Sequence, residues 1–174
     1  VNPRVSLSLS RSSVVVGETV TLTASMSDNV GIAYTKATID GKPAYFDAKG
    51  YCIYKTDTVG EIVIYIEVYD AAGNSASAQK TLTVKADMPP TVSISAPDKV
   101  AVNETFTITV NASDDVKVTL VEAEVDGNPI VLNSSKQYKM TPSSVGEIVV
   151  TAKAYDSEGK VSTVQKTITV TEDT

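Results

Sequence analysis

From Val14 onward the sequence matches itself at a constant offset of 86 residues, so that Val14–Val84 lies on Val100–Val170 with no insertion or deletion. About 26 of the roughly 71 paired positions are identical. Only the leading segment slips, by one residue, between Val5-Ser6-Leu7 and Val92-Ser93-Ile94. Two copies of one structural unit are therefore expected, residues 1–86 and 87–174, each within the range of a small domain. Between them Lys85-Ala86-Asp87-Met88-Pro89-Pro90 carries two prolines that fix φ, and so short a connection predicts domains arranged end to end.

Within each copy the apolar period is two. Val20, Leu22, Ala24 and Met26 alternate with Thr21, Thr23 and Ser25, and Phe106, Ile108, Val110 and Ala112 repeat the pattern. Ile62, Ile64, Ile66 and Val68 run toward the turn at Asp70-Ala71-Ala72-Gly73-Asn74, as Ile148, Val150, Ala152 and Ala154 run toward Asp156-Ser157-Glu158-Gly159. In the first copy, strands are expected near 5–9, 14–16, 19–27, 33–39, 43–46, 51–56, 61–69 and 76–84. That is about seven once a split first strand is joined. No segment has helical periodicity. The expected fold class is all-β, two tandem Ig-like β-sandwich domains of about seven strands each.

Pro89-Pro90-Thr91-Val92-Ser93-Ile94, Ser113-Asp114-Asp115, Val125-Asp126-Gly127, Val145-Gly146-Glu147 and Ala154-Tyr155-Asp156 followed by Gly159 resemble the bacterial Ig-like repeats of secreted and cell-surface proteins. The first copy matches with Ser27-Asp28-Asn29, Ile39-Asp40-Gly41, Val59-Gly60-Glu61 and Tyr69-Asp70-Ala71-Ala72-Gly73-Asn74. Lys160 departs from the pattern, standing where the first copy has Asn74. The resemblance implies modules that space, present or stiffen something else, sometimes with calcium at their ends and sometimes beside carbohydrate-active domains. Its motifs specify fold more than activity.

Several chemistries are excluded by composition. The chain has no His, which removes His-based catalysis and His-ligated metals, and its single Cys52 can form neither an internal disulfide nor a thiolate cluster. Cys52 is expected to be a buried structural thiol and is neutral as to compartment. A net charge of −6 argues against nucleic acid, and all of that excess lies in residues 87–174. No apolar run approaches the roughly 20 residues of a membrane-spanning helix. Without a nucleophile elbow or a Gly-rich phosphate loop, no enzyme activity is expected. Because it starts at Val1 without Met, the chain reads as a piece of a longer polypeptide.

Two features remain. Asp28 and Asp70 continue the inward rows of their strands just where those rows end, and Asp114 and Asp156 repeat both. Such carboxylates either cap turns by accepting backbone N–H bonds or share a cation. The candidate calcium site comprises Asp87, Asp114, Asp115, Asp156 and Glu158, because Ca²⁺ takes six to eight oxygens. Asp28, Asn29, Asp70 and Asn74 form a weaker counterpart. The second feature is a tyrosine-rich face in the first copy, Tyr34, Tyr65 and Tyr69, which is either ordinary strand surface or a ligand face for carbohydrate or a protein partner. The functional expectation is a monomeric, non-catalytic spacer or accessory region of a larger bacterial extracellular or cell-surface protein. Its partners would be flanking domains of the same polypeptide. The alternative is a binding module that uses the tyrosine face.

Overall fold

The computed structural model describes residues 2–172, and the alternating rows become sixteen strands among them. The chain divides into two compact units, Val1–Ala86 and Asp87–Thr174. In the first, β1 (Arg4–Leu9), β3 (Thr19–Ser27) and β6 (Tyr51–Lys55) form one sheet in the order β1-β3-β6. The facing sheet has the order β2-β8-β7-β4-β5, from β2 (Ser13–Val15), β4 (Ile32–Ile39), β5 (Lys42–Ala44), β7 (Gly60–Asp70) and β8 (Ser75–Lys85).

The second unit repeats this. β9 (Thr91–Ser95), β11 (Phe106–Ser113) and β14 (Gln137–Met140) form the smaller sheet. β10 (Lys99–Ala101), β12 (Val118–Val125), β13 (Asn128–Ile130), β15 (Gly146–Asp156) and β16 (Val161–Thr171) form the larger, in the order β10-β16-β15-β12-β13. Both are two-sheet sandwiches of Ig-like form, and every expected strand is present to within two residues.

The first strand is split because its partner changes. β1 runs antiparallel to β3 in one sheet, the exposed stretch Ser10-Arg11-Ser12 breaks the alternation, and β2 then pairs parallel with β8 in the other. In the second unit Pro97, which has no N–H to give a ladder, stands in the same gap between β9 and β10. The hairpins β4–β5 and β12–β13 turn on Asp40-Gly41 and Asp126-Gly127, with φ of 50° and 73° in one and 48° and 78° in the other. Two successive left-handed residues make the turn whose twist suits a two-residue hairpin, and Asp-Gly tolerates it well.

The inward rows meet as the cores. Val20, Leu22, Ala24, Ile62, Ile64, Ile66 and Val68 are buried in the first unit, and burying each larger side chain is worth about 1.5–3 kcal/mol. The second core keeps the pattern while exchanging sizes: Ile66 is answered by Ala152, and Ala24 by Val110. Val110 and Ala152 share one cluster, so a wider residue on β11 offsets a narrower one on β15. Cys52 and Tyr54 of β6 pack against the first core, as Tyr138 and Met140 do against the second.

Candidate functional site

Each inward row ends on an aspartate that begins a turn. Asp28 Oδ2 accepts the N–H groups of Val30 and Gly31 at 2.9 and 3.1 Å, and Asp114 Oδ2 accepts those of Val116 and Lys117 at 3.0 and 2.7 Å. Asp70 Oδ1 accepts from Ala72 and Asn74 at 2.9 and 2.8 Å, and Asp156 Oδ1 from Glu158 and Lys160 at 2.8 Å each. All four therefore cap turns, but these turn bonds use only one oxygen apiece.

The fate of the other oxygen separates the copies. In the first, the Asn74 side-chain amide donates to Asp70 Oδ2 at 2.7 Å. That bond, with the backbone N–H groups of Asn74 and Ala72, holds the Asp70 carboxyl below its ordinary range against the opposing effect of burial. In the second copy Lys160 replaces the asparagine and reaches elsewhere. Its ammonium lies 2.6 Å from Asp87 Oδ2 and donates to the Asp87 main-chain carbonyl. Asp156, 3% exposed, is left with Oδ2 buried and without a hydrogen-bond partner. Contact with Asp87, reinforced by the charges of Asp156 and Asp115, raises the Lys160 pKa although desolvation opposes it.

Asp87, Asp114 and Asp115 each bring a carboxylate oxygen within 4.8 Å of the others'. The Asp87 side chain is 4% exposed, and its Oδ1 and Asp114 Oδ1 are both buried without a hydrogen bond. Of the five candidate ligands, three thus converge. Asp156 and Glu158 are not among them: Asp156 lies buried at the head of its turn, and Glu158 lies exposed in the turn that Asp156 caps. The redirected Lys160 was the one departure visible in sequence, but its pairing with Asp87, 73 residues away, was not.

The tyrosine face lies on the outer side of the larger sheet of the first domain. A bulge between Ile32 and Tyr34 sets Tyr34 opposite Tyr69, and the rings stack with centroids 4.4 Å apart and planes 11° from parallel. The next cross-strand pair on this face is Lys36 with Glu67, and the one beyond is Thr38 with Tyr65. The Lys36 ammonium sits 5.3 Å from the Tyr69 ring centre and 5.9 Å from that of Tyr34. The Glu67 carboxylate, two residues before Tyr69 on the same strand face, pushes that phenol up to about 12, with smaller contributions from desolvation and neighbouring charge. Tyr34 remains 50% exposed, whereas Tyr65 is half-buried. The second domain puts Leu120 and Tyr155 in the place of the stack and reverses the charged pair to Glu122 and Lys153, with the Tyr155 hydroxyl donating to Glu122 at 3.2 Å.

Residues 90–146 match the family model described as bacterial Ig domain. The first copy lies outside that stretch and is tied to it by the repeat. No curated protein sequence matches the chain. Among solved structures, the three N-terminal domains of the highly immunogenic outer capsid protein of bacteriophage RB49 align over 95% of this chain and 58% of theirs, at 15% identity and a TM-score of 0.58. A structure from a 1.5-MDa bacterial ice-binding adhesin aligns over 99% of this chain and 66% of its own, at 19% identity and a TM-score of 0.54. The fibronectin(III)-like modules of Clostridium thermocellum CbhA align over 96% and 95%, at 19% identity and a TM-score of 0.42. The chain thus spans less than two thirds of the first two structures, and at these identities the likeness is one of fold.

Proposed function

We propose that this chain is a non-catalytic spacer or accessory segment of a larger bacterial extracellular or cell-surface protein, holding a neighbouring domain in position. The observation that carries the reading is which positions the two copies share. They keep apolar inward rows, identical Asp-Gly hairpin turns and turn-capping aspartates, and apart from Tyr69 and Tyr155 they differ on the outer sheet face, where Tyr34, Lys36, Tyr65 and Glu67 are answered by Leu120, Glu122, Thr151 and Lys153. What is repeated is the means of folding, whereas a duplicated binding site would repeat its surface.

The Tyr34–Tyr69 pair supports a second reading, in which the first domain itself binds a ligand, because Tyr34 is half exposed and the stacked rings with the Lys36 ammonium beside them offer a partner both aromatic and hydrogen-bonding surface. Arrayed glycans probed with the labelled chain separate the two. Absence of saturable binding by the wild type supports the spacer. Binding that disappears with Tyr34→Ala and Tyr69→Ala together overturns the spacer reading for the first domain.

A further inference from the structure

We infer that Asp87, Asp114 and Asp115 of the second domain form a divalent-cation site suited to Ca²⁺, in which the Lys160 ammonium is a tethered competitor for the same carboxylates. The spacing admits the ion. Two oxygens bound to one Ca²⁺ at about 2.4 Å can be no more than about 4.8 Å apart, and the three carboxylates each present an atom within that limit. An all-oxygen set excludes the softer metals that select N and S ligands.

The independent sign of a missing cation is the unspent acceptor capacity. Asp87 is 4% exposed yet Oδ1 has no partner, and Asp114 Oδ1 and Asp156 Oδ2 are in the same condition. Buried carboxylate oxygens are costly unless charge or donors compensate them. One ammonium cannot compensate Asp87, Asp114, Asp115 and Asp156 together. The ammonium is spent on Asp87 alone, 2.6 Å from its Oδ2 and hydrogen-bonded to its main-chain carbonyl. The Lys160 side chain is 40% exposed, so it can withdraw into water and release both the Asp87 carboxylate and that carbonyl to the ion. The first domain makes the contrast: Asn74 and Ala72 satisfy both oxygens of Asp70, and among the described residues of that domain Asp28 Oδ1 alone is left over.

Competition predicts a direction that a plain acidic patch does not. Titration calorimetry of the 174-residue chain with CaCl₂ should show one weak site, with Kd of order 10⁻⁴–10⁻³ M. Lys160→Asn, which installs the first domain's residue, should bind at least about tenfold more tightly, since it removes a competing positive charge from the ligand cluster. Asp87→Asn should lose tenfold or more. Because a buried substitution can unfold the domain, Asp115→Asn, at an exposed carboxylate, is measured alongside and should also weaken binding. Failure of both the wild type and Lys160→Asn to bind at 10-fold above the weaker limit overturns the site. Calcium binding that Lys160→Asn leaves unchanged or weakens overturns the competition.

Discussion

Gly50 and Lys136 occupy the same place in the two copies, and exchanging their character should move the two domains in opposite directions. The turn is one construction: Asp47 Oδ1 accepts the N–H groups of Lys49 and Tyr51, and Asn133 Oδ1 those of Ser135 and Gln137, all at 2.9 Å. Its fourth residue is left-handed, with φ of 83° at Gly50 and 57° at Lys136. A Cβ added to Gly50 would lie 2.1 Å from the Ala24 carbonyl oxygen, an impossible contact. The backbone must therefore relax toward the geometry that Lys136 shows, where the equivalent N–H···O bond to the turn carbonyl is 3.0 Å instead of 2.8 Å. A left-handed non-glycine residue costs about 1–2 kcal/mol, and the stiffer unfolded chain returns about 0.4–1 kcal/mol. With the backbone shift added, Gly50→Ala should thus destabilise the first domain by at least about 1 kcal/mol, or at least about 4–8 °C in a domain of this size. Lys136→Gly relieves the same strain and should raise the second domain's midpoint by a few degrees. Calorimetry of the full chain, with tyrosine circular dichroism assigning the transitions because six of the eight Tyr lie in the first domain, reads both. A first-domain transition that Gly50→Ala leaves unmoved, or a second-domain transition that Lys136→Gly lowers by a similar amount, would refute the reasoning.

Ile66→Ala should cost the first domain about 2–5 kcal/mol, and adding Ala24→Val should recover about 1–2 kcal/mol of it by reproducing the second core's exchange of sizes; urea unfolding that shows strict additivity of the two losses would contradict the pairing. Asp70 is held below the ordinary carboxylate value chiefly by the Asn74 amide, so its contribution to stability is complete above about pH 4 and disappears as pH falls through the lowered value. Asn74→Ala should move the Asp70 titration upward in carboxyl NMR, and an unchanged midpoint would remove the amide as the cause. Glu67→Gln should bring the Tyr69 phenol down from about 12 toward about 10, seen as earlier loss of the last tyrosine in ultraviolet titration; no change would show that the carboxylate does not act on it.

The strands were legible because a sheet with one buried face writes its period directly into the chain. Val20, Leu22 and Ala24 point inward for the same reason that Asp28 follows them in phase. Even the divided first strand could be read, since polar Ser10-Arg11-Ser12 interrupts the alternation. Contacts decided by side-chain reach were not legible. Nothing local to Lys160 says that its ammonium leaves Asp156 for Asp87, because the choice depends on where a distant backbone passes. Turn capping and cation binding looked like alternatives in sequence, yet one carboxylate has two oxygens and can do both. The stacking of Tyr34 on Tyr69 depended on a bulge in β4, which shifts register by one residue and leaves no period in the sequence.

The parallel pairing of the short second strand with the last one has a mechanical consequence. In the first domain β2 lies parallel along β8 through Ser13–Thr83, Val14–Val84 and Val15–Lys85, as β10 lies along β16 in the second. A pull on the two ends draws such strands past each other lengthwise. The bonds from Val16 N–H to the Lys85 carbonyl and from Thr83 N–H to the Ser12 carbonyl are then strained together, whereas a peeling geometry would open them one after another. Strands paired in this direction therefore resist such a pull with all of their shared bonds at once, and each domain carries its own parallel pair.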